Sequence, residues 1–401
     1  MQTPPRPALL RRGLALALTA MLTLSGCAGG SSGAAPSWSP QPASTLEPGG
    51  GPGFTPGLAE PGQAQPAPGG SSSSGRASGT DPQVVATGLA APTGLVILPD
   101  GTALVGERTT GRIVQVQPVA GQPVTAIRTL TGLDTGGDGG LLDLALSPTY
   151  DQDGLIYAYV TTPTDNRVIA FTLTGPATPV FTGIPKGSSD NRGRIMFDAQ
   201  GNLLIGTGDA GQPALAADPA SLAGKVLRVS DVGQPLATGS PVFTSGQHTV
   251  AGLCLDRGSG STFETEPGAA GSGDEINTLS AGANYGWPVA QPNSHAPTAS
   301  LPPALSGAGG CAVAGGVIYV ASLNDDAVLS APLTTTTPVR IGAFTALEKG
   351  TYGRLLTVVA APDGALWLTT SNKDGHGKPV AADERVIRIM PNSGSSAGAK
   401  A

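Results

Sequence analysis

The chain has 401 residues and a formal net charge of −6; only 12% of its residues are charged, while Gly (60) and Pro (37) are abundant. An acidic chain without a basic patch is a poor partner for nucleic acid, and beyond the N-terminal segment no apolar run is long enough to span a bilayer. Low charge, frequent turn formers and many Val, Ile, Leu and Thr stretches predict a β-rich domain.

Residues 1–26 read as an export signal. Arg6, Arg11 and Arg12 form a basic start, "GLALALTAMLTL" an apolar stretch, and "LSGC" ends at Cys27. This ending looks like a bacterial lipobox, which implies lipidation of Cys27 and anchoring of the domain outside the cytoplasm. Cleavage would remove three arginines and no acidic residue, taking the formal charge from −6 to −9. Contact with the membrane is then expected through the lipid only.

Residues 27–82 are Gly, Ser, Pro and Ala with few apolar anchors. Such a segment buries too little surface to offset its ordering entropy, so a disordered tether is expected. The tail at 392–401 has the same character.

Residues 83–391 carry a weak sixfold repeat, with units starting at Ala91, Leu141, Gly193, Val250, Gly309 and Arg354. Each reads as an apolar strand, a tight turn, a second strand, a variable loop and a third strand. The turns are Asp100-Gly101, Asp153-Gly154, Gln200-Gly201, Gly258–Gly260, Gly315-Gly316 and Asp363-Gly364, and glycine there permits the positive φ that tight turns need. Six units of about fifty residues, each too small to fold alone, predict an all-β, six-bladed β-propeller. The stretch "QVVATGL" at 83–89 is placed to complete the last blade and close the ring.

Cys254 and Cys311 are the only cysteines after Cys27. Two cysteines in an oxidising compartment most simply pair. In a propeller, loops that enter and leave the inner strands gather at one mouth, so functional residues come from several repeats. The candidates are Asp138, Asp190, Asn191, His248, Thr249, Asp274, Glu275, Asn324 and Arg354, all beside the ends of apolar strands.

"ERTTGRIVQV" (107–116), "GGLLDLALSPTY" (139–150), "GRIMFDAQGNLLIGTGDAG" (193–211), "LAGKVLRV" (222–229) and "GDEINTLSAGANYGWP" (273–288) together resemble the soluble, PQQ-dependent glucose/sorbosone dehydrogenase family. Segments such as "FTGIPKG" and "ALAADPASLAGKVLR", with the lipobox, are similar to the mycobacterial-type LppZ lipoproteins within that group. The resemblance implies a propeller, a PQQ cofactor with calcium, and a His that takes the proton of a sugar hydroxyl while hydride leaves the carbon. That His position falls on Asp190 or Asn191. An Arg-Asn pair for PQQ falls on His248 and Thr249, and a Lys falls on Asn324. Of two arginines spaced i, i+2, the first is Arg354 and the second position holds Leu356. Asp138 stands where the family has a sugar-facing Gln or Glu. The resemblance further implies cofactor-calcium ligation by the carbonyls of Gly268 and Ala269, and a separate calcium at Glu275 with the Tyr285 carbonyl.

Two functional readings follow. One is an envelope propeller with lost or altered sugar dehydrogenase chemistry, whose mouth binds a sugar or polyol, an envelope glycan or a protein. The other is an active PQQ- and calcium-dependent sugar or polyol dehydrogenase. A metal-dependent lactonase-type propeller is a third, for which carboxylate ligands are not evident in the sequence.

Overall fold

The computed structural model describes residues 81–236, 239–268, 273–305 and 307–391. The expected signal segment, Cys27, the tether up to residue 80, Ala269 and the tail from 392 lie outside the described residues.

Strand β1 (Val84–Ala86) comes first. Blade 1 holds β2 (Pro92–Ile97), β3 (Ala103–Glu107), β4 (Arg112–Val116) and β5 (Thr125–Thr129). Blade 2 holds β6 (Leu141–Leu146), β7 (Ile156–Thr161), β8 (Asn166–Phe171) and β9 (Thr178–Ile184). Blade 3 holds β10 (Gly193–Phe197), β11 (Leu203–Thr207), β12 (Lys225–Val229) and β13 (Val242–Ser245). Blade 4 holds β14 (Gly252–Leu255), β15 (Thr262–Glu266), β16 (Asp274–Thr278) and β17 (Ala299–Leu301). Blade 5 holds β18 (Ala308–Ala314), β19 (Val317–Ser322), β20 (Ala327–Pro332) and β21 (Thr345–Leu347). Blade 6 holds β22 (Leu355–Ala360), β23 (Leu366–Thr370) and β24 (Val386–Ile389), and β1 pairs antiparallel with β24 to complete it. The N-terminal strand therefore closes the ring, as "QVVATGL" predicts.

Each blade is an antiparallel meander. The inner strands follow one another around the axis, β2 beside β6, β10, β14, β18 and β22 in turn, and β22 returns to β2. Blades pack face to face, so each core cluster mixes two neighbouring blades: Tyr159 and Val168 of blade 2, for example, join Ile195, Leu203 and Leu227 of blade 3. Burial on both faces explains why β3, β7, β11 and β23 are buried along their whole length and read as unbroken apolar runs rather than alternating ones.

Each blade has four strands, not the three read from the sequence. The outermost strands are short or solvent-facing; β5, for example, has no fully buried residue. An edge strand of that kind has neither an apolar run nor a period of two, so its sequence looks like loop.

Around the axis, one side chain links five blades. Arg194 on β10 donates from Nε to the Ala251 carbonyl (2.7 Å), from Nη1 to the Thr93 carbonyl (3.2 Å) and Asp143 Oδ1 (3.3 Å), and from Nη2 to Thr357 Oγ1 (3.2 Å). Thr357 Oγ1 donates to the same Thr93 carbonyl (2.7 Å), and the Ile195 N–H donates to Asp143 Oδ2 (2.9 Å). Burial pushes the Asp143 carboxyl up, opposed chiefly by the Arg194 charge. A cavity of about 630 Å³ extends from this layer along all six inner strands to residues beside the hairpin turns, including Pro148, Gly201, Arg257 and Pro362.

The disulfide joins Cys254 on β14 to Cys311 on β18, inner strands of adjacent blades, with Cα atoms 5.6 Å apart. Among the described residues no helix is long and apolar enough to cross a membrane.

Two stability predictions follow from the axis. Arg194→Leu leaves Asp143 buried without its cation and is expected to cost about 3–5 kcal/mol in urea unfolding. Cys254→Ala with Cys311→Ala removes a cross-link spanning 57 residues and is expected to cost about 2–4 kcal/mol in the same measurement.

Candidate functional site

Inner strands begin, and second strands end, at the same face of the ring, because neighbours in a blade run antiparallel. The hairpin turns with positive-φ glycines at 101, 154, 201, 260, 315 and 364 lie at the other face. Asp138, Asp190, Asn191, His248, Thr249 and Arg354 all stand on loops entering inner strands, and Asn324 follows a second strand. They therefore share the mouth opposite the hairpins. None of them lines the axial cavity, which lies on the far side of the Arg194 layer.

The loop "SSDNRG" folds around Asn191, which is 1% exposed. Its Nδ2 donates to Asp138 Oδ1 (2.7 Å) and to the Gly187 carbonyl (2.8 Å). Its Oδ1 accepts from Gly187 N–H (2.8 Å) and Asn166 Nδ2 (3.1 Å). A saturated, buried amide orders the loop and cannot take a proton. Of the two residues at the base position, Asp190 is therefore the one that faces the mouth, with its side chain 30% exposed. Asp190 has φ +53°, in the left-handed region that Asp and Asn tolerate better than most residues. Its carbonyl lies only 2.0 Å from where a Cβ on Gly208 would sit, so glycine at 208 is what allows the two loops to approach.

Three loops meet beside Asp190. The His248 Nε2 is 3.8 Å from Asp190 Oδ1. The His248 ring stacks on Trp287 with centroids 4.2 Å apart and planes at 26°. Trp287 Nε1 donates to Asp209 Oδ2 (2.9 Å), and the Asp209 N–H donates to the His248 carbonyl (2.9 Å). Asp209 and Trp287 are missed by the sequence reading. Asp209 sits in "GTGDAG", where its glycines suggest only the end of a strand.

Arg354 lies on the opposite side of the mouth. Its Nε donates to Asp374 Oδ2 (2.9 Å), and its Nη1 donates to the Leu323 carbonyl (3.0 Å) and Asn324 Oδ1 (3.1 Å). Arg192 is a further cation that the sequence reading overlooked. Burial lowers its pKa and Arg194 and Arg354 press in the same direction, while Asp138 and Asp190 support its charge. Arg192 thus couples the two sides electrostatically.

Asp274 serves structure. Its Oδ2 accepts the Ala308 N–H of blade 5 (2.5 Å) and its Oδ1 the Gly268 N–H (3.3 Å). Thr249 is buried, with its Oγ1 lacking a hydrogen-bond partner. Tyr285 is buried and its hydroxyl donates to the Thr278 carbonyl (2.6 Å).

Beneath His248 lies a buried acidic group on blade 4. Glu264 faces Asn277 across the β15–β16 ladder, and Glu266 faces Glu275. Glu266 Oε2 accepts the His248 N–H (2.8 Å). Glu264 Oε1 accepts from Asn277 Nδ2 (3.2 Å) and Gln247 Nε2 (3.3 Å). Glu264 Oε2, Gln247 Oε1 and Asn277 Oδ1 are buried without partners. Burial pushes Glu264 up to about 8, despite the bonds from Gln247 and Asn277. Burial together with the neighbouring Glu264 raises Glu266 well above the carboxylate range, and burial also raises Glu275.

The linkage sign follows from the raised pKa. An unfolded glutamate titrates near ~4.3, so the folded chain holds a proton on Glu264 that the unfolded chain releases. Stability is full below that value and is lost as pH rises towards about 8. Thermal unfolding of chelator-treated protein should therefore show Tm falling from pH 5 to pH 8, and Glu264→Gln should flatten the slope.

Known proteins share this architecture. The glucose/sorbosone dehydrogenase profile matches residues 89–380. The PQQ-bound aldose sugar dehydrogenase of Streptomyces coelicolor superposes with a TM-score of 0.71 at 37% identity, over 76% of this chain and 95% of that one. The aldose sugar dehydrogenase YliI of Escherichia coli is 32% identical over 176 residues, which is 38% of this chain and 47% of that protein. Quinoprotein glucose dehydrogenase B of Acinetobacter calcoaceticus is 28% identical over 251 residues, 52% of each. The chain thus spans about half the length of these two curated relatives. With the profile matching residues 89–380, well over half of its length, the chain belongs to the glucose/sorbosone dehydrogenase family.

Proposed function

We propose that the chain is an exported, lipid-anchored propeller whose mouth binds a sugar or another polyol, free or within an envelope glycan, with the family's dehydrogenase chemistry lost or altered. The observation that carries this reading is the charge balance of the mouth. Asp138, Asp190, Asp209 and Asp374 stand there with cations that are mostly engaged already: Arg354 by Asp374, Leu323 and Asn324, Arg108 by the Gly137 and Gly139 carbonyls, Lys186 by Asp134 and Lys373 by the Asp383 carbonyl, while Arg192 is opposed by burial. PQQ carries several carboxylates and needs a surplus of cations. These residues do not fit it.

Sugar hydroxyls suit the mouth better. Asp138 and Asp190 offer oxygen acceptors for hydroxyl donors, and the Trp287–His248 stack offers a flat apolar surface of the kind that sugar C–H faces cover. The "LSGC" segment supports anchoring at Cys27, and the LppZ-like segments support an envelope role. The oxygen-rich group of Glu264, Glu266 and Glu275, with the partnerless oxygens of Gln247 and Asn277, fits calcium. There the cation would offset buried negative charge. The Gly268 carbonyl is a donor for the second calcium that the resemblance implies, and the Gly268 N–H is held by Asp274.

A second reading, an active sugar or polyol dehydrogenase with PQQ and calcium, is favoured by one observation: the PQQ-bound relative is similar along the whole ring. Calorimetric titration of the purified chain with aldoses and polyols decides between them. Binding without PQQ is expected, weakened about tenfold by Trp287→Ala and also weakened by Asp190→Asn. Stoichiometric retention of PQQ with calcium, together with sugar-dependent dye reduction, would overturn the proposal in favour of the second reading.

A further inference from the structure

The structure assigns a divalent transition-metal site, of the Zn²⁺ class, to Asp190, Asp209 and His248. Each offers one ligand atom, and the three atoms lie within 4.8 Å of one another. They come from three separate loops, those entering β10, leaving β11 and entering β14. This site goes beyond the sugar-binding reading and does not depend on it.

The geometry is built rather than incidental. Asp209 is 1% exposed. Its Oδ1 accepts the Gly211 N–H (2.8 Å) and its Oδ2 accepts Trp287 Nε1 (2.9 Å). Asp190 Oδ2 accepts Ser189 Oγ–H (2.9 Å), and the Asp190 carbonyl accepts the Ala210 N–H (3.2 Å). Carboxylates that bind metals are themselves held by donors of this kind. The imidazole is fixed from both ends, its ring stacked on Trp287 and its backbone N–H bonded to Glu266.

Two further observations fit a cation at this point. His248 Nδ1 is buried and has no hydrogen-bond partner, while Nε2, at 3.8 Å from Asp190, is beyond hydrogen-bond range. Among the described residues, no lysine or arginine forms an ion pair with Asp190 or Asp209. Two carboxylates and an imidazole therefore converge without a direct lysine or arginine ion pair, Arg192 acting on Asp190 only through its field.

The donor set selects the metal. One nitrogen and two carboxylates suit Zn²⁺ and its first-row neighbours, whereas Ca²⁺ takes oxygen ligands only. Three protein ligands leave coordination positions open for water or a ligand hydroxyl, the pattern of exchangeable rather than purely structural zinc. The calcium expected at Glu275 is a different site with a different preference.

The test is calorimetric titration of the chelator-treated full chain with Zn²⁺ in excess calcium, with Co²⁺ absorption as a second readout. One Zn²⁺ per chain is expected. Affinity should fall by at least about tenfold in His248→Ala and in Asp190→Asn and remain unchanged in His295→Ala. Co²⁺ should give visible d–d bands in the unsubstituted protein, a readout that needs no variant, and the bands should be lost in His248→Ala with its far-UV circular dichroism unchanged. Failure of the unsubstituted chain to take up Zn²⁺, or equal affinity in His248→Ala and the parent, would overturn the site.

Discussion

The ring depends on one guanidinium at its axis. Six blades packed face to face leave a hole where the inner strands converge, and their carbonyls there need donors. Arg194 supplies four donated bonds to residues of blades 1, 2, 4 and 6 from its own place in blade 3. Asp143 meets its charge and also holds the Ile195 amide. This layer fixes the inner strands against one another and divides the axis into two spaces. The axial cavity lies towards the hairpins and the candidate site towards the loops.

The mouth is ordered by backbone contacts and saturated amides rather than by its chemically reactive groups. Asn191 ties the loop entering blade 3 to Asp138 of the loop before it, and Gly208 lets the Asp190 carbonyl close against blade 3. Asp274 performs the equivalent task between blades 4 and 5. With these supports in place, Asp190, Asp209 and His248 are brought together from loops far apart in sequence. Below them lie Glu264 and Glu266, whose carboxyl pKa values are raised by burial, so the floor of the site is sensitive to pH.

Much of this was legible in the residues. The hairpin glycines and doubly buried strands announced six units, and "QVVATGL" announced the closing strand. The fourth strands were hidden because an exposed edge strand carries no apolar period. Asp138, Asp190, His248 and Arg354 lie on loops at the mouth, each just before an apolar strand, which is the local signal that singles them out. Asp209, Arg192 and Trp287 were passed over. Nothing in their local sequence distinguishes them from turn or core residues, and their importance arises from neighbours on other blades.

By itself, the sequence determined the sixfold repeat, the first three strands of each unit, the pairing of Cys254 with Cys311 and membership of a family. These follow from short-range patterns: turn chemistry, burial periodicity, and two cysteines with no other partner after Cys27. Only the tertiary structure decided which polar residues are scaffold and which face the mouth. Asn191 and Asp190 are adjacent in the chain, yet one is sealed by four hydrogen bonds and the other is open to solvent beside His248. The distinction depends on contacts between blades, which no local window of sequence contains.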